Sequence, residues 1–219
     1  FSVDVSRLVA RVSLSSFKTQ FESTGLYPEA KFKITDVFMY NANSTSNVQP
    51  DLTAFPTATD LISGLGAETT YAWLTESIAG TATGETSENL LTPKYWFYVF
   101  ANSYDAETSA SQTRLVIKGE WDEDGDGTVD TEDGTVYYPV VINQLQPGTE
   151  IKDGETPITG SGNKKGDGKV YRNCKYDVSV VIKGKGGDTP DVNISPANLN
   201  VSIAPADWSL DLSQTVVFE

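Results

Sequence analysis

Histidine is missing altogether from the 219 residues, and cysteine occurs once. The first absence removes serine–histidine and cysteine–histidine catalysis and nearly every catalytic zinc arrangement, all of which need an imidazole that titrates near neutral pH. The second rules out an internal disulfide. Cys174 shares its strand parity with Tyr176, Val178, Val180 and Ile182, so it reads as a small core hydrophobe rather than a nucleophile. Positive charge is scarce too: 16 Lys and Arg stand against 30 Asp and Glu, a formal net charge of −14. Without a basic stripe, binding to a phosphate backbone or to anionic lipid is disfavoured. No run approaches the roughly 20 apolar residues of a membrane span. Phe1 opens inside a patterned segment with no charged leader before it, which leads us to expect a chain trimmed at its start.

What is present is aromatic and acidic. Four Trp, ten Tyr and nine Phe supply enough bulk for a folded core. The acids gather at Trp121 to Asp133, WDEDGDGTVDTED. Counted from Asp122, aspartates fall at places 1, 3, 5, 9 and 12, as Asp122, Asp124, Asp126, Asp130 and Asp133, with Gly127 at place 6. Calcium takes about six to eight oxygens, so a loop must turn several carboxylates inward at once. Alternate aspartates do this, Gly127 supplies the bend and Thr128 its carbonyl, and Val129 is the apolar anchor. Two features depart from the pattern. Asp133 stands where the strongest loops carry a bidentate Glu, with Glu132 beside it as a substitute, and both flanks read as strands rather than helices. The expected cofactor is a structural calcium, since clustered carboxylates repel one another unless a cation compensates them. The competing reading is a solvated acidic hairpin loop.

The remaining chain alternates in strand fashion. Strands are expected from Phe1 to Phe17, over Lys31 to Tyr40, Thr113 to Trp121, Thr135 to Ile142 and Lys169 to Lys183. Tyr95 to Ala101, YWFYVFA, is the most apolar run, and its bulky groups on both parities predict a central strand covered on both faces. Asp60 is placed to cap one helical turn through Leu65, and a second short helix is expected around Trp73. Gln146 to Asp167 and Gly184 to Pro196 read as polar breaks, the first disordered or functional. In the tail Leu199, Val201 and Ile203 alternate with polar residues. After Pro205 the alternation resumes at Trp208, Leu210 and Leu212 and ends at Val216, Val217 and Phe218. An apolar terminus is buried in its own sheet or in a neighbour's groove. The expected fold is all-β, an antiparallel β-sandwich with little helix, forming one domain over residues 1–219, with terminal strands at 198–219.

Lys94 to Asn102, Thr113 to Gly119, Tyr137 to Asn143, Tyr171 to Gly184 and the tail through Trp208 together resemble the C-terminal half of Bacteroidales fimbrillins, the subunits of type V pili. Val5 to Val12 is similar to the segment that leads into that half. The resemblance implies a transthyretin-like sandwich, the C-terminal domain of a longer lipoprotein precursor that is exported to the cell surface and trimmed by a protease. It further implies a cell-adhesion role in a fimbria built by strand exchange, with other pilus subunits or copies of the same chain as partners. In such β-augmentation main-chain hydrogen bonds supply affinity and alternate apolar side chains supply register. The matching donor positions are Trp208, Leu210, Leu212, Val216 and Phe218. The chain lacks the N-terminal domain that would hold the acceptor groove, and the aspartate loop does not define the family.

Three function classes follow. The leading one is a structural pilus subunit with a calcium-stiffened hairpin, which needs no active site. The second is a calcium-dependent adhesin or carbohydrate-binding tip module recognising a host or bacterial surface receptor, with Trp73, Trp96 or Trp121 as a stacking platform. For Trp96 burial in the apolar run is the stronger expectation, and for Trp121 packing beneath the loop. The third is a glycosidase using paired carboxylates, but abundance of acids is not a constellation. The chain is therefore read as not an enzyme.

Overall fold

Period-two alternation of apolar residues carries most of the architecture. The computed structural model describes residues 7–47, 60–66, 71–79, 95–104, 110–128, 130, 133–154 and 164–208. Its strands are β1 (Val9–Thr19), β2 (Lys31–Tyr40), β3 (Ala42–Asn43), β4 (Leu61–Ile62), β5 (Thr75–Ser77), β6 (Tyr95–Phe100), β7 (Arg114–Asp122), β8 (Gly134–Val141), β9 (Thr149–Ile151), β10 (Cys174–Ile182) and β11 (Leu199–Asp207). They form a five-stranded sheet in the order β6-β1-β10-β11-β9, a four-stranded sheet in the order β5-β2-β7-β8, and the small pair β3-β4.

The core lies between the two larger sheets. From the first come Ala10, Val12, Leu14 and Phe17 of β1 with Tyr176, Val178, Val180 and Ile182 of β10; from the second come Phe32, Ile34, Val37 and Met39 of β2 with Leu115, Ile117 and Trp121 of β7. Phe32 bridges the layers, with ring centroids 5.9 Å from Phe17 and 5.2 Å from Tyr138. Two irregularities keep the long strands in phase with the core. The register shifts between Leu14 and Ser16 in β1 and between Ile34 and Asp36 in β2. Each shift adds a residue, so the buried parity passes from Leu14 to Phe17 and from Ile34 to Val37.

The all-β class agrees with the sequence, and a 3-10 turn stands at Ala72–Leu74, where a short helix is expected around Trp73. The pairing is mostly antiparallel, but β1 runs parallel to β10 and β11 parallel to β9. Four local expectations are corrected. Leu61 and Ile62 do not continue a helical turn from Asp60; they pair with Asn43 and Ala42, and the Asp60 carbonyl accepts the Ser44 N–H at 2.8 Å. β6 is not a covered central strand but the edge of its sheet, burying Phe97 and Val99 and exposing Trp96 and Tyr98. β1 starts at Val9, leaving Leu8 exposed. β11 runs through Pro205 to Asp207 without a break. Proline is tolerated there because β9 pairs only with Val201 to Ile203, so beyond Ile203 one side of β11 is no longer in a continuous ladder.

The two breaks are better tied down than their composition suggests. In the first, β9 joins the sheet, and Asn143, at φ 57°, donates through Nδ2 to the carbonyls of Lys164 and Lys169 and to Asp167. Residues 155–163 lie outside those described. The second runs along the free edge of β8. Gly187 exchanges backbone hydrogen bonds with Tyr137, the buried Tyr138 hydroxyl donates to the Gly184 carbonyl at 2.9 Å, and Arg114 donates to Asn193.

Candidate functional site

The acidic loop joins two neighbouring strands, as its flanks predict. β7 ends at Asp122, β8 begins at Gly134, and Trp121 pairs with Gly134 across the ladder. Trp121 roots the loop: it is 1% exposed and meets Phe21 and Tyr27 edge-on at 5.4 and 5.3 Å. Burial removes it as a stacking platform for a ligand and agrees with packing beneath the loop.

Carboxylates organise the loop backbone. Asp122 accepts the N–H of Gly125 at 2.7 Å and of Gly127 at 3.0 Å, Asp124 that of Asp126 at 3.1 Å, and Asp126 that of Thr128 at 2.6 Å. Gly127 sits at φ 83°, the left-handed bend expected of place 6. Ligand oxygens of Asp122, Asp124 and Asp126 lie within 4.8 Å of one another, the span of two calcium–oxygen bonds of about 2.3–2.6 Å. Asp130 and Asp133 are not part of that group. Both Asp133 oxygens face the backbone instead, accepting the N–H of Glu123 at 2.7 Å and of Asp130 at 3.1 Å, so the residue clasps the two ends of the loop. Val129 and Glu132 lie outside the described residues. Two lysines that sequence reasoning missed approach from elsewhere in the fold: Lys31, at the start of β2, donates to the Gly125 carbonyl, and Lys185, after β10, pairs with Glu123 at 3.3 Å. Both are far away in sequence, and no local signal finds them.

The expected donor positions divide. Trp208 packs on its own chain, its ring parallel to Tyr98 with centroids 5.8 Å apart and the Arg7 guanidinium 4.2 Å from its centroid. Its N–H donates to Asn173 and its carbonyl accepts from Arg7, each at 2.8 Å. Leu210, Leu212, Val216 and Phe218 lie outside the described residues. Trp96 and Trp73 are 53% and 60% exposed. For Trp96 this corrects the expectation of burial, since the outer side of an edge strand accommodates a half-exposed aromatic ring with a polar edge.

Residues 118–208 match the family model of the FimA4 pilin C-terminal domain. The major fimbrium subunit FimA type-4 of Porphyromonas gingivalis is 34% identical over 127 residues, covering 51% of this chain and 30% of that subunit. The type-3 subunit of the same organism is 32% identical over 134 residues, covering 53% of this chain and 32% of that subunit. The matched region thus spans about 30% of the length of these curated relatives. A crystal structure of a fimbrilin (FimA) from P. gingivalis superposes with a TM-score of 0.60 at 22% identity, covering 93% of this chain and 58% of that one, a likeness of fold. Over residues 118–208 the chain thus matches a FimA4 pilin C-terminal domain, and in that sequence region and in fold it is similar to Bacteroidales fimbrillins.

Proposed function

We propose that the chain is a structural part of a cell-surface fimbrial subunit, residues 1–219 forming one β-sandwich of a longer fimbrillin. The observation that carries this reading is the pilin-domain match over residues 118–208, which spans β8 to β11 and part of β7. Its partners are other pilus subunits, joined by β-strand exchange. The donor segment within 198–219 narrows to the residues after Trp208, because β11 is paired along its length with β10 and is shared with β9. Leu210, Leu212, Val216 and Phe218 supply the apolar side chains that set register in a neighbour's groove. A calcium ion held by Asp122, Asp124 and Asp126 stiffens the β7–β8 loop.

The deciding experiment is an electrophoretic ladder of the full-length processed protein, run unheated in detergent, with and without residues 209–219. Loss of the ladder, with the shortened protein still melting cooperatively, is the expected result; a ladder that persists overturns strand exchange through the tail. The calcium reading has its own test. Binding to the folded state at about 100 times Kd stabilises by about 2.7 kcal/mol. At about 2–4 °C per kcal/mol for a chain of this size that raises the melting midpoint by roughly 5–10 °C over a chelator control. An unchanged midpoint in millimolar calcium refutes it.

A further inference from the structure

We propose that a pocket between the β1–β2 connection and the two ends of the β10–β11 connection binds a neutral pyranose, the terminal ring of a glycan. Gln20, Glu22, Leu26 and Tyr27 line it from the first connection, and Lys183 and Asn198 from opposite ends of the second. The cavity measures about 290 Å³, near the lower bound of about 300–1,000 Å³ for small-molecule sites, so it takes one ring rather than several. Its walls are fixed by the backbone. The Gln20 N–H donates to the Ile182 carbonyl at 2.8 Å, and the N–H groups of Lys183 and Gly184 share the Asn198 carbonyl at 2.7 and 3.2 Å. Asn198 Nδ2 donates in turn to the Lys185 carbonyl at 2.9 Å. Gly184 lets the two sides meet, since a Cβ there would stand 2.6 Å from Asn198 Oδ1 and 3.4 Å from the Tyr27 ring. A site built in this way is formed before its ligand arrives, which lowers the ordering cost of binding.

The chemistry of the lining selects the ligand. The chain as a whole carries −14, yet the pocket is lined by one carboxylate, Glu22, and one ammonium, Lys183, and is neutral in sum. An ion of either sign meets repulsion from one of the two, whereas a neutral molecule meets none. Hydrogen-bonding capacity is mixed as well: Lys183 only donates, Glu22 only accepts, and the Gln20 amide and the Tyr27 hydroxyl do both. A sugar hydroxyl also does both. The apolar part of the wall is the Tyr27 ring with Leu26, which is 88% exposed. A pyranose suits such a wall, with C–H faces to lay against a ring and hydroxyls around its edge. Gln20 and Glu22 are exposed, so one ring enters from solvent while the rest of the glycan stays outside.

The test is titration of the intact chain with the methyl glycosides of glucose, galactose, mannose and N-acetylglucosamine, followed by amide chemical shifts. Chelator is present, so that the neighbouring acidic loop holds no metal, and free leucine serves as a zwitterionic control. At least one glycoside should saturate in the millimolar range expected of so small a ligand, moving the amides of residues 20–27 and 183–198 and changing little with added salt. Glu22→Ala should weaken it about tenfold, the loss of one hydrogen bond to a charged group. Ala197→Trp should abolish it, because Ala197 also lines the pocket and an indole there fills the space. Glu22 and Ala197 are exposed, so both variants keep the cooperative melt. Failure of every glycoside to bind, or shifts confined to another part of the chain, overturns the proposal. Undiminished binding in Ala197→Trp does the same. Leucine binding as tightly as the best glycoside overturns it too, since the occupant is then chosen by its paired charges.

Discussion

Replacing Trp121 by alanine tests whether the aspartate loop is rooted in the core. Truncating a buried tryptophan costs about 3–5 kcal/mol. The two edge-on contacts, with Phe21 and Tyr27, contribute about 0.5–1.5 kcal/mol each within that loss. One effect acts in the other direction. The indole Nε1 is buried with no hydrogen-bond partner among the described residues, and an unsatisfied donor costs about 1–3 kcal/mol, so removing it offsets part of the loss. The net expectation is about 3 kcal/mol, or a midpoint roughly 6–12 °C lower at about 2–4 °C per kcal/mol. Trp121→Phe keeps a ring for Phe21 and Tyr27 and discards the orphan N–H, so it should cost about 1–2 kcal/mol. Urea unfolding followed by far-ultraviolet circular dichroism measures both variants without relying on tryptophan emission. A loss below about 1 kcal/mol in Trp121→Ala, or equal losses in the two variants, refutes the reasoning.

Gly119→Val should destabilise by about 1–3 kcal/mol or more, because a Cβ at this inward position of β7 would overlap the Phe32 ring and the Lys33 carbonyl; an unchanged urea midpoint counts against the packing described. Tyr138→Phe leaves the Gly184 carbonyl without its buried donor, and a loss of about 1–3 kcal/mol is expected, with faster amide exchange around Gly184 to Gly187. Burial raises the Asp36 pKa, but hydrogen bonds from Lys118, Thr35 and Ser77 and the Lys118 charge outweigh it, leaving the carboxyl below its ordinary value of 3.8. A depressed folded pKa contributes stability that is complete above the unfolded value and is lost as pH falls through the folded one. Acid unfolding below that ordinary value should therefore be shallower in Asp36→Asn, and curves of equal slope would contradict this.

Strand existence was legible wherever one face of a sheet is buried. β2 was legible with its observed bounds and β7 and β8 nearly so, because each alternates against the core, whereas β11 was legible only from Leu199 to Ile203, Pro205 reading as a break. β6 was misread because Trp96 and Tyr98 count as apolar by composition, whereas an aromatic ring with a polar edge tolerates half exposure on an edge strand. The parallel placement of β1 beside β10 had no local signal; nothing in either strand's alternation names a partner on the other side of the chain. The same holds for the acidic loop. Spacing located Asp122, Asp124 and Asp126, but Asp133 turns to the backbone, and Lys31 of β2 and Lys185 of the β10–β11 connection come from segments that only the fold brings near.

The parallel pairing of β1 with β10 also sets an order of events. Ser13 and Asp177, bonded across that ladder, are 164 residues apart, whereas β2, β7 and β8 all lie between Lys31 and Val141. Closing a long loop must be paid in chain entropy before the contact returns anything. A chain emerging from its N-terminus can assemble the four-stranded sheet early, but β1 then waits for β10, the strand that joins it to β11. Until the last quarter of the chain is present, half of the core has no lid, and the inner faces of β2 and β7 are the apolar surfaces on which a partly made chain aggregates.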